Sequence, residues 1–282
     1  MILLADSGST KTTWVLLDGK EVVKTIQTAG LNPYFHTVES VVTELESFLL
    51  PLISGTNVKE IHFYGAGCST ETKVDLLKTA MQRHFREASI SVYHDILGAA
   101  RALLGKGEGI ACILGTGCNA SYYDGEEIYS RVPSLGYLFG DEGAGSNLGK
   151  LFMEKYLKDK LPADLKTDFE RQYSLSLEQI LDALYNKPYP NRFLASFSEF
   201  IGPRRHHPFL HDLVRSSFEA FFEEQVKKYK EWKTVPVSFV GSVAFFYQDI
   251  LLSVAESQKV KVGKILKSPM EGLIEFHSLP RI

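Results

Sequence analysis

Three cysteines in 282 residues, at positions 68, 112 and 118, are too few and too unpaired for a disulfide framework. They also lack the CxxC spacing of a structural zinc site. No apolar run approaches the roughly 20 residues that a membrane helix requires. The start of the chain runs from Met1 through a short apolar strand into Asp6 without the pattern of a signal peptide, which predicts a cytoplasmic protein. Charge of one sign is also lacking: the net charge is −3 and the basic residues are dispersed, so neither nucleic acid nor an anionic membrane is an expected partner. His206, His207 and His211 lie beside Pro208 and the basic pair Arg204-Arg205, a context for a solvated loop and not for a transition metal. What the chain does have is 44% hydrophobic residues, enough to fill the core of one large domain or two smaller ones around a small-molecule site.

The stretch "LADSGSTKTTWVLLDGK", residues 4–20, combines small residues, hydroxyls and a lysine, the ingredients of a phosphate cradle. It is not a Walker A loop, because the glycine spacing differs and the segment after Lys11 reads as a strand instead of a helix. Pattern predicts strands near 2–6, 12–17 and 20–27, the last two joined by the Asp18-Gly19 hairpin. A helix capped by Thr37 follows, then strand "EIHFYG", a helix over 71–86, strand "SISVYH" and helix "ILGAARALL" closed by Gly105. The arrangement then restarts: strand "GIACILG", turn Gly115-Thr116-Gly117, strand "NASYYD", hairpin Asp124-Gly125 and strand "EEIYS". A mostly helical insertion spans about 145–232, before strand "VPVSFVG", a helix near 243–255, strand "VKVGKIL" and a final helix from Ser268.

Two such copies predict an α/β protein with a duplicated RNase H-like (actin-like ATPase) fold, two domains around a central cleft. The expected N-terminal domain is 1–108, completed by helix 268–282, and the expected C-terminal domain is 109–267. Each copy would present a phosphate turn to the cleft. Asp95, where a strand ends and a helix begins, is the candidate general base, in competition with a plain helix-capping role. His94 beside it alternates to the opposite side of the strand and is expected to be structural.

The stretches "ADSGSTKT", "GLNPYF", "FYGAGC", "HDILGAARAL", "ILGTGCN", "LGYLFGDEGAGSNLGK", "FVGSVAF" and "SPMEGL" together resemble the BadF/BadG/BcrA/BcrD-type ATPases, in their N-acetylglucosamine kinase-like branch, across nearly the whole chain. The resemblance implies an ATP-dependent sugar kinase in which Asp95 matches the family's catalytic aspartate. It implies ATP contacts at Asp6, Gly8, Ser9, Thr10, Lys11, Gly115, Thr116, Gly117, Gly241 and Ser242, with Gly272 flanking the adenine. Asn32, Asn119, Gly136 and Asp141 would bind the sugar, and Asp6 would hold Mg²⁺ through water. Ser7 and Ser9 depart from the glycines usual in the first turn, where left-handed backbone would be costly for serine; Cys118 and Leu135 are further departures. The expected reaction is phosphorylation of N-acetylglucosamine at its 6-position, and a homodimer is left open. Two alternatives on the same fold stand beside it: an ATPase activator of a 2-hydroxyacyl-CoA dehydratase, and a non-catalytic sugar sensor.

Overall fold

The computed structural model describes residues 1–8 and 10–278. The chain divides into two compact units, Met1–Lys106 with the chain from Pro269 onward, and Gly107–Ser268.

In the first unit, β1 (Ile2–Ser7), β2 (Lys11–Asp18), β3 (Glu21–Ala29), β4 (Glu60–Gly65) and β5 (Ser89–His94) form a sheet of order β3-β2-β1-β4-β5. β1 pairs antiparallel with β2 and parallel with β4, and β4 pairs parallel with β5. The unbroken apolar run of β1 reflects burial on both faces. Leu3 and Ala5 enter a core with Trp14, Leu16 and Phe63, while Leu4 enters the opposite core with Val15, Leu17 and Tyr64. Helix α1 (Val38–Glu44) starts at Thr37 with a reciprocal capping box to Ser40 and continues as tighter and wider turns to Leu52. Helix α2 (Glu71–Gln82) stops four residues before the sequence-predicted end, where His84 and Phe85 donate backbone N–H groups to the Met81 carbonyl in a closing turn. Helix α3 (Asp95–Leu104) ends at Gly105. The C-terminal helix Met270–Ser278 begins two residues after the predicted Ser268 and covers α3.

In the second unit, β6 (Gly109–Leu114), β7 (Cys118–Tyr123), β8 (Ile128–Tyr129), β9 (Val237–Val240) and β10 (Val262–Leu266) form a sheet of order β10-β9-β6-β7-β8. Shifting every strand number by five converts one sheet order into the other, with the same parallel and antiparallel neighbours. This is the duplication that the sequence predicts, an α/β actin-like ATPase fold. β8 is shorter than predicted because the Asp124 carboxylate accepts the N–H groups of Glu126 and Glu127, at 2.9 and 2.8 Å, and widens the hairpin. Between β8 and β9 lies the helical segment, including α4 (Gly136–Phe139) and α5 (Gly145–Leu157). Its core is aromatic: Phe152, Phe169, Phe197 and Phe200 interlock with ring centroids 5.1 to 5.7 Å apart. The helix predicted near 243–255 is two helices, Ser242–Phe246 and Gln248–Ser257. The break falls at Tyr247, whose buried ring sends its hydroxyl to the Ser198 carbonyl at 3.1 Å. No helix among the described residues is long and apolar enough to cross a membrane.

Candidate active site

In the first unit the chemistry gathers at the C-terminal ends of the parallel strands, the usual ligand edge of such a sheet. The β1–β2 turn is closed by the Gly8 N–H donating to Lys11 O at 3.0 Å. Ser7 is buried and extended: its hydroxyl meets that of Thr12 at 2.8 Å and accepts the Leu31 N–H at 3.0 Å. Serine at position 7 therefore carries no left-handed strain and braces the turn from within. Thr10 accepts the Gly30 N–H on its carbonyl, tying the turn to the start of the "GLNPYF" segment; Ser9 lies outside the described residues.

Asp6, half-buried at the end of β1, has its carboxyl pushed up to about 7 by desolvation and then by the negative charge of Asp95, with Lys11 opposing. Asp95 is the first residue of α3, directly after β5. Its Oδ1 is buried without an aligned hydrogen-bond donor, yet stands 2.6 Å from His94 Nδ1. This corrects the expectation that His94 turns away from Asp95. The chain leaves the strand at His94, the residue just before α3, so period-two alternation no longer applies there. An oxygen and a nitrogen this close require a proton between them. Burial pulls the His94 ring down, but the Asp95 carboxylate outweighs it and the ring is more basic than usual. The Cys68 thiol is pushed up to about 12, first by burial and then by Asp95.

Asn32 bends its own loop: Oδ1 accepts the Tyr34 N–H at 3.0 Å, the turn geometry that Asn before Pro favours. The space for that oxygen exists because position 67, in "FYGAGC", has no Cβ. Gly272 sits on the C-terminal helix, where a Cβ would strike the Ala102 carbonyl of α3. Its position is explained by helix packing.

In the second unit the Gly115-Thr116-Gly117 turn joins β6 to β7. The first N–H groups of α5 hold it: Gly145 donates to Gly115 O at 2.8 Å and Ser146 to Thr116 O at 3.0 Å. Gly115 N–H donates to Gly117 O at 3.0 Å, while among the described residues no protein acceptor faces the Thr116 and Gly117 N–H groups. Two of the turn's carbonyls are thus spent on the helix start, and two donors remain for a ligand. Asn119 lies half-buried on β7 opposite Ile113, and Gly136 opens α4 in left-handed backbone.

Asp141, also left-handed at φ 61°, is 7% exposed. Its Oδ1 accepts the Cys118 N–H at 2.9 Å and its Oδ2 accepts the Ser146 hydroxyl at 3.2 Å. Burial raises its pKa against those two hydrogen bonds.

A cavity of about 610 Å³ in this unit brings Gly115, Thr116 and Ser242 together. Val243, Phe246, Tyr247 and Pro203 give it apolar walls; Ser198, Glu199 and Arg205 add polar groups. None of these last seven is among the expected site residues. Arg205 belongs to the run expected to be solvated, yet its Nε donates to Asp249 Oδ2 at 3.0 Å and it lines the cavity. No local spacing announces that pairing across 44 residues. Of the neighbouring histidines, His207 caps the helix Pro208–Phe221, and among the described residues no group of three or more His, Cys, Asp or Glu side chains could hold a metal. Gly241 has φ 127°, and a Cβ there would strike the Leu114 carbonyl. Gly241→Ala should cost about 2 kcal/mol or more of stability, read as a lower melting temperature.

The three cysteines are buried and free, and burial pushes the thiols of Cys112 and Cys118 up as well.

No family model and no curated protein matches the sequence. Among solved structures, the chain is similar to a Porphyromonas gingivalis protein described as a "putative N-acetylglucosamine kinase", with 43% identity, TM-score 0.95 and 99% of each chain covered. A Chromobacterium violaceum protein of the same description aligns with TM-score 0.77 and 15% identity over 98% of each chain. A ROK family glucokinase from Streptomyces griseus, in complex with glucose and AMPPNP, aligns with TM-score 0.62 and 13% identity over 97% of each chain. The last two share the fold. The extent and identity of the first match, on a duplicated sheet with a small-residue turn in each copy, place the chain in a family: it belongs to the sugar kinases of the actin-like ATPase superfamily.

Proposed function

We propose that the protein transfers the γ-phosphoryl group of ATP to the C6 hydroxyl of N-acetylglucosamine. The observation that carries this reading is the full-length, 43% identical neighbour, whose description names that sugar. The chemistry of the residues supports it. Asp95 takes the proton of the attacking hydroxyl on the exposed edge of its carboxylate, while its buried Oδ1 faces His94 Nδ1 at 2.6 Å. Phosphoryl transfer asks little covalent chemistry of the protein, so the remaining groups bind, orient and balance charge. In the first unit Gly8, Thr10 and Lys11, with Ser9, suit phosphates; in the second the Thr116 and Gly117 N–H groups do, and its cavity, lined by Ser242, takes the nucleoside next to Gly241. Asn32, Asn119, Gly136 and Asp141 serve the sugar.

Asp6 suits Mg²⁺: a half-buried carboxylate, crowded by the negative charge of Asp95, gains most from a cation nearby. One carboxylate and several waters is how Mg²⁺ is commonly held beside nucleotide phosphates. When bound, the ion would neutralise phosphate charge.

Release of ADP measured across N-acetylglucosamine, N-acetylmannosamine, N-acetylmuramic acid, glucosamine and glucose tests the assignment. The highest kcat/KM is expected for N-acetylglucosamine. Equal ADP release with and without every sugar would remove the kinase reading.

A further inference from the structure

We propose that Ser7 is a positioning residue for the sugar: its hydroxyl, together with that of Thr12, fixes the segment that carries Asn32 to the end of β1. The inference rests on the reading of Asn32 as a sugar ligand. Three bonds within the first unit set the direction of this relay. Thr12 Oγ1 donates to the Ala29 carbonyl at 2.9 Å, which uses its only proton. The Ser7 hydroxyl, 2.8 Å away, therefore donates to Thr12 Oγ1 and keeps its lone pairs for the Leu31 N–H, at 3.0 Å. Thr12 Oγ1 stands 3.3 Å from the same N–H and shares it. Ser7 and Thr12 are 1% and 0% exposed, so solvent does not compete for these bonds.

The turn itself is held without the two hydroxyls. Ser7 and Thr12 are partners in the β1–β2 ladder, the Gly8 N–H donates to Lys11 O at 3.0 Å, and the Ala66 N–H donates to Ser7 O at 2.9 Å. The segment after Gly30 belongs to no strand, and at Leu31 and Pro33 its ties come from side chains. Leu31 is bonded to the hydroxyl pair, and the Pro33 carbonyl accepts Lys73 Nζ at 2.9 Å. Asn32 lies between these two tethers. Its Oδ1 accepts the Tyr34 N–H, so its amide N–H₂ is the part left to donate to a sugar oxygen. Aiming that group needs a fixed backbone, and a segment ordered beforehand spares the sugar the cost of ordering it. Glycine at position 7 would keep the turn's backbone and lose this anchor.

Steady-state release of ADP by the full-length protein tests the role, with Mg-ATP and N-acetylglucosamine varied in turn, well below each variant's melting temperature. Ser7→Ala should raise KM for N-acetylglucosamine about fivefold, the scale of one net buried hydrogen bond, and leave KM for ATP and kcat within about twofold. Ser7→Ala/Thr12→Val, which leaves the Leu31 N–H without either hydroxyl, should raise the sugar KM about tenfold or more with the same split. Thr12→Ser keeps both oxygens of the relay and should match wild type. A sugar KM within about twofold of wild type in Ser7→Ala and in the double variant, with only the melting temperature lowered, would overturn the proposal, as would an equal rise in KM for ATP. If the double variant does not fold, Ser7→Ala decides alone. Wild-type ADP release that is indifferent to the sugar, or an unchanged sugar KM in Asn32→Ala, would remove the sugar reading itself and with it the role of Ser7.

Discussion

Asp95→Asn lowers kcat by about 10³-fold or more while ADP and N-acetylglucosamine bind within about threefold of wild type; that is the expected result if Asp95 is the general base. Asparagine keeps the size and hydrogen-bonding reach of the side chain at the start of α3, so the local fold should survive. What it loses is the ability to take a proton from the attacking hydroxyl. The change also removes the partner that makes His94 more basic, so the His94 ring should titrate at lower pH in the variant, an observation open to NMR. A merely capping Asp95 would give a different pattern: the variant would lose some stability and retain turnover.

Asp6→Asn should abolish turnover and, in the ligand-free protein, raise the melting temperature at pH 8. Folding lifts the Asp6 carboxyl from 3.8 to about 7, so the folded state binds its proton more tightly than the unfolded state does. Below about pH 4 both states are protonated and the group costs nothing. Between about 4 and 7 the folded state is progressively penalised, and above 7 the full penalty stands, up to about 4 kcal/mol before allowing for the part of Asp6 that solvent reaches. Asparagine carries no such charge. The gain should therefore be several degrees at pH 8, small at pH 4, and reduced when Mg-ATP is present to neutralise the wild-type carboxylate. Thermal denaturation at the two pH values decides it; an Asp6→Asn protein less stable than wild type at pH 8 would contradict the electrostatic account. A functional group that destabilises its own fold is a common form of trade-off in active sites.

Much of this architecture was legible because it is written in local periodicity. Strands "EIHFYG" and "SISVYH" fall where the alternation and flanking turns place them, and Thr37 caps α1 with the expected reciprocal bond. The duplicated strand order was readable from two similar hairpins about a hundred residues apart. Errors arose where tertiary contacts overrule pattern. Tyr247 splits a helix because its ring is buried and its hydroxyl reaches Ser198, 49 residues away in sequence. Alternation misplaces His94 because the strand ends on it. The bonds of Arg205 to Asp249 and of Cys118 N–H to Asp141 join distant segments, for which one sequence holds no signal. Ser7 shows the reverse case: a departure from the family's glycines that looked strained proves to be an extended residue with its hydroxyl turned inward.

The most direct test of the central claim is identification of the product. Purified protein incubated with Mg-ATP and N-acetylglucosamine should yield, by ³¹P NMR, one sugar 6-phosphate for each ADP formed, with neither product accumulating when the sugar is omitted. ADP and inorganic phosphate formed at the same rate with or without sugar, and no phosphate ester at C6, would contradict it.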